Sequence, residues 1–318
     1  MTTESDIHNL VLSSAVAPNT RLAYRKGWSC FTDYCRREQV TDPLSASPET
    51  VARFLLDCAT RPRSGSGLPL SMGTVFLYSS AVARRFADAN RPSPTHHPTV
   101  RATLKGLSRL AGAVPRRVKA LREGHVSAMI ARCPDSVIGL RDAAVVALGF
   151  AGALRRSELC ALHVDDVAII PSTPPHPRRM LLTIRRSKTD QTGRGQTIAI
   201  PEGKTVKPID RVQAWLSVSG ITQGPLFRTM RRGGAVQDKP LHHSDIPRLV
   251  KRYGALIGLD PRELSGHSLR AGFVTSAAAH HARLDKIMAV TRHTSTDTVM
   301  NYIRDADAFS DHAGNAFL

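Results

Sequence analysis

Only between residues 163 and 200 does this chain alternate apolar and polar side chains with the two-residue period of a β-strand. Three segments carry the pattern, His163 to Ile170, Met180 to Arg186 and Thr197 to Ile200, and they predict a small antiparallel meander. The last two flank Thr-Asp-Gln-Thr-Gly-Arg-Gly, whose composition is that of a hairpin turn. So short a sheet cannot bury the core of a 318-residue chain, and helices must supply the rest. The expected fold class is mainly α, an α+β arrangement with one small antiparallel sheet.

Proline, serine and threonine mark the helix starts. Asn19-Thr20 is expected to cap a helix reaching about Glu38, with Leu22, Trp28, Phe31 and Tyr34 on its apolar face. Arg21, Arg25 and Lys26 fall on the other side. Pro48-Glu-Thr opens a second helix to about Ala59, Ser71 a third to about Ala89, and Pro98 a fourth ending near Ala111. The result is a helical bundle over 18–112, preceded by a flexible arm at 1–17, with Arg84, Arg85, Arg101, Lys105 and Arg109 on its exposed faces. Val114-Pro-Arg116-Arg117-Val-Lys119 is short, basic and stiffened by proline. It is expected to form a linker over 113–120, either a strap across a phosphate backbone or a plain surface connection. The second domain, 121–318, is expected to run helix, meander, helix: a buried helix from Leu140 to Gly152, a short one from about Arg156 to Leu162, and helix throughout after Lys207.

The net charge of +18 is the outlier of the composition. Sixteen lysines and arginines stand against eight acids in residues 1–118, and 28 against 18 in residues 119–318. Both domains are therefore expected to meet a polyanion. Aromatic residues make up 5%, too few for the stacking platforms of an RNA binder. Apolar runs such as Ala143 to Ala153 are too short to cross a bilayer, and Met-Thr-Thr-Glu-Ser-Asp has no signal-peptide character. The five cysteines (Cys30, Cys35, Cys58, Cys133, Cys160) are odd in number, lack metal-ligand spacing and fall mostly in apolar helical patterns. They are expected to be reduced core residues of a soluble cytoplasmic protein with no membrane partner. The histidine pairs at 96–97, 242–243 and 280–281 form no spaced ligand set, so neither metal nor cofactor is expected.

The chemistry concentrates in a few fragments: Gly152-Ala-Leu-Arg155-Arg-Ser-Glu158-Leu, Arg-Arg-Ser-Lys188-Thr at a strand end, Trp215-Leu-Ser-Val-Ser-Gly, Ser265-Gly-His267-Ser-Leu-Arg270, Arg292-His293-Thr, and Val299-Met-Asn-Tyr302-Ile-Arg304. In this order they resemble the tyrosine site-specific recombinases, the phage integrase family. The likeness covers the whole second domain and, more loosely, the helical first one. It implies an N-terminal core-binding, SAM-like domain and a C-terminal catalytic domain that close on DNA as a C-shaped clamp.

The physical chemistry of the residues fits that likeness. A pentavalent phosphorus transition state gathers negative charge on its non-bridging oxygens. Guanidinium forks bind such oxygens in pairs and stay protonated, which suits Arg155 and Arg270. Arg156 is a rival that only the family motif sets aside. Glu158 would orient Arg155, or serve merely as a helix N-terminal acid. His267 and Arg270, three residues apart, share a helix face, where His267 would donate a hydrogen bond or shuttle a proton. Tyr302, nine residues after His293, is the candidate nucleophile, a weak one that must be held in line with phosphorus. The resemblance assigns His293 to a phosphate oxygen and Lys188 to protonation of the leaving 5′ oxygen. A lysine near its ordinary pKa of about 10.4 does this poorly unless its surroundings lower it. Arg185, Arg186 and Arg194 could do so and would also grip DNA. Further DNA contacts are expected from Arg21, Arg25, Lys26, Arg84, Arg85, Lys105, Arg116, Arg117, Lys119 and Arg304.

The activity implied is site-specific strand exchange by four protomers on double-stranded DNA, through a 3′-phosphotyrosine and a Holliday junction, with neither ATP nor metal. A prokaryotic, phage or plasmid source is expected. Phe309, Phe317 and Leu318 would dock the tail into a neighbouring subunit or fold it back onto its own domain. Two other readings share the pattern, a type IB-like topoisomerase and a DNA-binding accessory protein that has lost activity. The intact set Arg155, Lys188, His267, Arg270, His293 and Tyr302 argues against the second.

Overall fold

The computed structural model describes residues 17–63, 67–112, 118–185, 195–231, 233–297, 299–300 and 302. The N-terminal arm up to residue 16, Arg116, Arg117, Arg186, Lys188, Arg194, Arg304 and the tail with Phe309, Phe317 and Leu318 lie outside them. Two compact units divide the chain, 1–116 and 117–318.

The first unit packs four helices: α1 (Pro18–Arg37), α2 (Pro48–Thr60), α3 (Met72–Asp88) and α4 (Pro98–Leu110). Ser47 and Ser71 cap α2 and α3, each hydroxyl accepting from the amide three residues on, Thr50 at 3.2 Å and Thr74 at 3.4 Å. Helix α1 starts differently from the expected Asn19-Thr20 cap. Ala17 is its N-cap and Pro18 its first residue, so proline's fixed φ pre-forms the turn without a side-chain cap. Leu22 departs from the reading as well: it is 62% exposed. Burial on α1 begins a turn later, at Gly27, where α3 approaches so closely that a Cβ would meet Ala81 Cβ and Tyr78 Cδ1 at 2.9 Å. Phe31, Tyr34, Phe54 and Tyr78 fill the space between helices, Phe31 meeting Phe54 edge-on at 5.0 Å.

The second unit is built around α6 (Val137–Ala151), in which residues 143 to 148 are each at most 3% exposed. Helices α5 (Glu123–Ala131) and α8 (Pro208–Ser219) pack beside it. Trp215 of α8 is fully buried and donates its indole N–H to Leu226 O at 2.8 Å. A three-stranded antiparallel sheet in the order β1 (Val167–Ile170), β2 (Arg179–Ile184), β3 (Gln196–Pro201) pairs Val167 with Leu182 and Leu182 with Ile198. Its inner face supplies Met180, Leu182, Ile184, Ile198 and Ile200 to the core. A short helix α7 (Arg156–Ala161) follows α6, and α9 (Asp245–Leu256), α10 (Ser268–Ala279) and α11 (Leu284–Thr291) complete the unit. Segment 118–122 lies across α10, with Leu121 N donating to Ser268 O at 3.0 Å. Only glycine fits at 272 beneath it, since a Cβ there would stand 1.9 Å from Leu121 O.

Four further elements differ from the sequence expectation. The first strand begins at 167 rather than 163, because residues 164–166 form a 3₁₀ turn in which the Asp166 carboxylate accepts from His163 N at 2.8 Å. Helix α5 went unmarked: Arg122 gives it no side-chain cap. Nor is everything after Lys207 helical. Strands β4 (Arg228–Met230) and β5 (Val236–Pro240) pair antiparallel around Gly233 and Gly234, whose φ values are 98° and 90°. Both strands are short and part-exposed, so they leave no alternating signal. Among the described residues no helix is long and apolar enough to cross a membrane.

Candidate active site

The turn between α6 and α7 is the foundation of the site. Gly152 ends α6, Ala153 enters the left-handed region at φ 45°, and Arg155 becomes the N-cap of α7. An L-residue is held there only if its surroundings over-determine it. Here they do, because the turn's carbonyls are acceptors for two buried arginines. Arg270 Nη1 donates to Ala153 O at 2.6 Å, and Arg292 Nη1 to Gly152 O at 3.4 Å. Arg270 Nη2 also donates to Thr291 O, which ties α10 to the end of α11.

Glu158 sits at the centre of the charge set and is 3% exposed. Its Oε2 accepts from Arg155 N at 2.8 Å and from Arg292 Nη2 at 2.7 Å, while Oε1 accepts from Arg155 Nη1 at 2.7 Å. Burial alone would push this carboxyl up; the Arg292 charge and the Arg155 amide and guanidinium hold it below the usual range. One carboxylate thus pairs with two guanidinium groups and stands near a third, that of Arg270. Burial, then the charges of Arg155 and Arg292, pulls Arg270 down to about 9, so it keeps its own charge at neutral pH. Arg270 Nε and Arg292 Nε are buried without partners among the described residues. Surplus buried cation of this kind is an anion-binding arrangement.

Beside it stand the other groups. His267 is the N-cap of α10, and its Nε2 lies 3.0 Å from the Tyr302 hydroxyl. Close packing, then the charges of Arg270 and Arg155, lowers the His267 pKa. His293 Nδ1 lies 2.9 Å from Thr291 Oγ1, and burial with the same two arginines brings its pKa down to about 4. Both imidazoles are therefore neutral at pH 7. The unit accordingly gathers Arg155, Glu158, His267, Arg270, His293 and Tyr302 in one place, while Lys188 lies outside the described residues. Arg156, the rival to Arg155, is exposed.

Arg292 was missed as a site residue. It is 5% exposed, caps α11 at φ 58°, and reaches Glu158 across 134 positions of sequence. Its adjacency to His293 was the only sequence signal.

The expected DNA contacts divide by environment. Arg25, Lys26 and Lys105 are exposed, and their side chains make no hydrogen bond or ion pair among the described residues; Arg21 is exposed at the start of α1. Three other described residues have local partners: Arg84 pairs with Asp88 at 2.7 Å, Arg85 lies 5.9 Å over the Trp28 ring, and Lys119 Nζ stands 3.6 Å from Glu263. Arg185 Nε donates to the buried Asp166 carboxylate at 2.5 Å. Among the described residues no group of three or more His, Cys, Asp or Glu side chains is placed to hold a metal.

Residues 119–308 match the phage integrase family. The integrase/recombinase xerD homolog of Selenomonas ruminantium is 34% identical over 307 residues, covering 96% of this chain and 86% of that protein. Recombinase cre of Escherichia phage P1 is 29% identical over 192 residues, 56% of this chain and 52% of that one. The structure of XerH site-specific recombinase, bound to palindromic difH substrate in a post-cleavage complex, superposes with a TM-score of 0.66 at 16% identity, covering 91% of this chain and 79% of that one. On the family match and the 34% identity over nearly its full length, the chain belongs to the phage integrase family of tyrosine recombinases.

Proposed function

We propose that this recombinase exchanges DNA strands at a specific site through a 3′-phosphotyrosine on Tyr302. The observation that carries the reading is the 3.0 Å contact of His267 Nε2 with the Tyr302 hydroxyl, beside the buried Arg270 guanidinium and the Arg155 and Arg292 guanidinium groups that share the Glu158 carboxylate. Duplex DNA as the partner is supported by the net charge of +18 and by the DNA-bound XerH neighbour.

In this reading a scissile phosphate enters between Arg155 and Arg270. Their N–H groups take its non-bridging oxygens, where negative charge grows as phosphorus becomes five-coordinate. Glu158 holds Arg155 and is itself held by Arg292. Neutral His267 accepts the phenolic proton as the Tyr302 oxygen bonds to phosphorus. The bond from phosphorus to the 5′ oxygen breaks, and Lys188 supplies the proton that the leaving oxygen needs. Neutral His293 offers a hydrogen bond to a phosphate oxygen. Attack by a 5′ hydroxyl of the partner duplex reverses these steps and passes through a four-way junction. The phosphotyrosyl bond conserves the energy of the broken one, so the cycle consumes no ATP, and the arginines supply the cationic charge a metal would otherwise provide. Four protomers on two sites would complete the exchange, with the exposed cations of the first unit, Arg25, Lys26 and Lys105 among them, on the phosphate backbone.

A nicked suicide substrate tests the assignment. Wild-type protein is expected to form a denaturant-resistant covalent adduct, and Tyr302→Phe to bind the same DNA without forming one. An adduct with Tyr302→Phe removes Tyr302 as nucleophile. Relaxation of supercoils without exchange between two labelled duplexes would make the enzyme a topoisomerase instead.

A further inference from the structure

Away from the candidate active site, the first unit holds a guanidinium that meets sulfur instead of oxygen. Backbone hydrogen bonds fix Arg63 just after α2, its N–H donating to Leu68 O at 3.1 Å and its carbonyl accepting from Gly67 N at 2.9 Å. Its side chain then reaches both α1 and α2: Nη1 donates to Cys30 Sγ at 3.4 Å and Nη2 to Cys58 Sγ at 3.3 Å. Arg63 Nε is buried without a partner among the described residues. Carboxylates are close by but engaged elsewhere: Asp33 on α1 pairs with Arg36, and Asp57 on α2 with Arg37 and Arg61.

A part-buried cation whose side-chain acceptors, among the described residues, are two thiols is poorly compensated unless one sulfur is ionised. Burial decides which one. Cys58 is fully buried, whereas Cys30 is part-exposed. The two sulfurs meet neighbouring nitrogens of one guanidinium, so Cys58 presents a neutral thiol beside the outer sulfur. The influence of Cys58 comes first among the causes that bring the Cys30 pKa down to about 6, with Arg63 assisting against burial and Asp33. The influence of Cys30, together with burial, pushes Cys58 up despite Arg63, with Asp57 adding to the rise. Tyr78 on α3 also senses the pair, and burial and the Cys30 charge raise its pKa. A nucleophilic thiolate with a second thiol held on the same guanidinium is the arrangement of an oxidant-sensitive pair.

We propose that Cys30 and Cys58, bridged by Arg63, form a hydroperoxide-reactive thiol site that closes to a disulfide. The Cys30 thiolate attacks a peroxide oxygen, so an S–O bond forms, the O–O bond breaks, and the departing oxygen leaves as water or alcohol after taking a proton. Cys30 sulfur is oxidised by two electrons and the peroxide is reduced. Cys58 then gives up its proton and attacks that sulfur; the S–S bond forms and the S–O bond breaks, releasing water. Oxidation also removes the negative charge facing Arg63 and leaves the guanidinium uncompensated.

Competition within one molecule tests the site without any substitution. The full-length protein, treated briefly with iodoacetamide at pH 7, is expected to be alkylated at Cys30 at least tenfold faster than at Cys133 or Cys160, whose pKa values burial raises to about 11 and about 12. One equivalent of hydrogen peroxide should yield a peptide pair linked through Cys30 and Cys58. In Cys58→Ser the oxidised Cys30 should instead be trapped by a sulfenic-acid reagent. Arg63→Leu should slow Cys30 alkylation at least tenfold, and Arg63→Lys, which keeps the charge, by less. Alkylation of Cys30 no faster than of Cys133, or oxidation that joins any other pair, overturns the proposal.

Discussion

Consider Arg292→Ala and Arg292→Gly as a pair. Both remove the 2.7 Å bond to Glu158 Oε2 and leave part of a buried carboxylate without its partner. Breaking a buried ion pair outright costs about 3–5 kcal/mol. Glu158 keeps the Arg155 amide and guanidinium, so the loss of one charge-assisted bond, about 1.5–3 kcal/mol, is the better figure. The backbone adds a second term that separates the variants. At φ 58° a residue with a Cβ carries about 1–2 kcal/mol of left-handed strain, and glycine carries almost none. Arg292→Gly is therefore expected to unfold in urea about 1 kcal/mol later than Arg292→Ala, although both are less stable than the parent. Cleavage should not follow that difference. Either change lets Glu158 and Arg155 drift, and a shift near 1 Å in a positioned group costs up to about 100-fold in rate. Single-turnover adduct formation on a nicked substrate should thus fall about 10- to 100-fold in both variants alike. If Arg292→Gly cleaves at the parental rate, Arg292 serves only the backbone and the reasoning fails. Equal urea midpoints for the two variants would remove the strain argument.

Arg155→Ala should lose about 100- to 1000-fold in cleavage, the size seen when an oxyanion donor is removed, while Arg156→Ala stays within a few-fold of the parent. The opposite order would move the phosphate clamp to Arg156. The His293 imidazole resists protonation until about pH 4 in the fold, whereas an unfolded imidazole takes a proton near pH 6.5. The folded state binds fewer protons between those values, so stability should fall as pH drops from about 6.5 toward 4. His293→Asn is expected to flatten the change in urea midpoint between pH 7 and pH 5; an unchanged slope would assign the fall to other groups. Affinity for target DNA should drop by about 0.9 log units per neutralised phosphate for each decade of salt. Arg25→Ala, Lys26→Ala and Lys105→Ala should each lower that slope by about one contact, and a residue that leaves it untouched is not at the interface.

Much of this architecture is legible because it is local. Ser47 and Ser71 announce their helices, and the apolar block at 143–148 can only be a buried helix. His267, Arg270 and Tyr302 could be named from short motifs, since His267 and Arg270 share one helix start. What escaped depends on distance or on weak signals. Helix α5 lacks a capping side chain, and β4 and β5 are too short and too exposed to show a period. Leu22 matched the helical period yet lies a turn before the place where α1 meets α3. Arg292 escaped because its meaning resides in Glu158, and nothing in the neighbourhood of either residue points to the other.

The α6–α7 turn also bears on the order in which the protein becomes an enzyme. Its carbonyls are synthesised 117 and 140 residues before the arginines that fill them. Loop closure over such separations comes late in folding, after the local helices have formed. A nascent or truncated chain that ends before residue 292 can therefore hold its helical bundle and much of its core while lacking the guanidinium that completes the cationic pocket. On the role proposed for Tyr302, strand-cutting competence would then arrive only once the chain has passed Arg292 and that tyrosine.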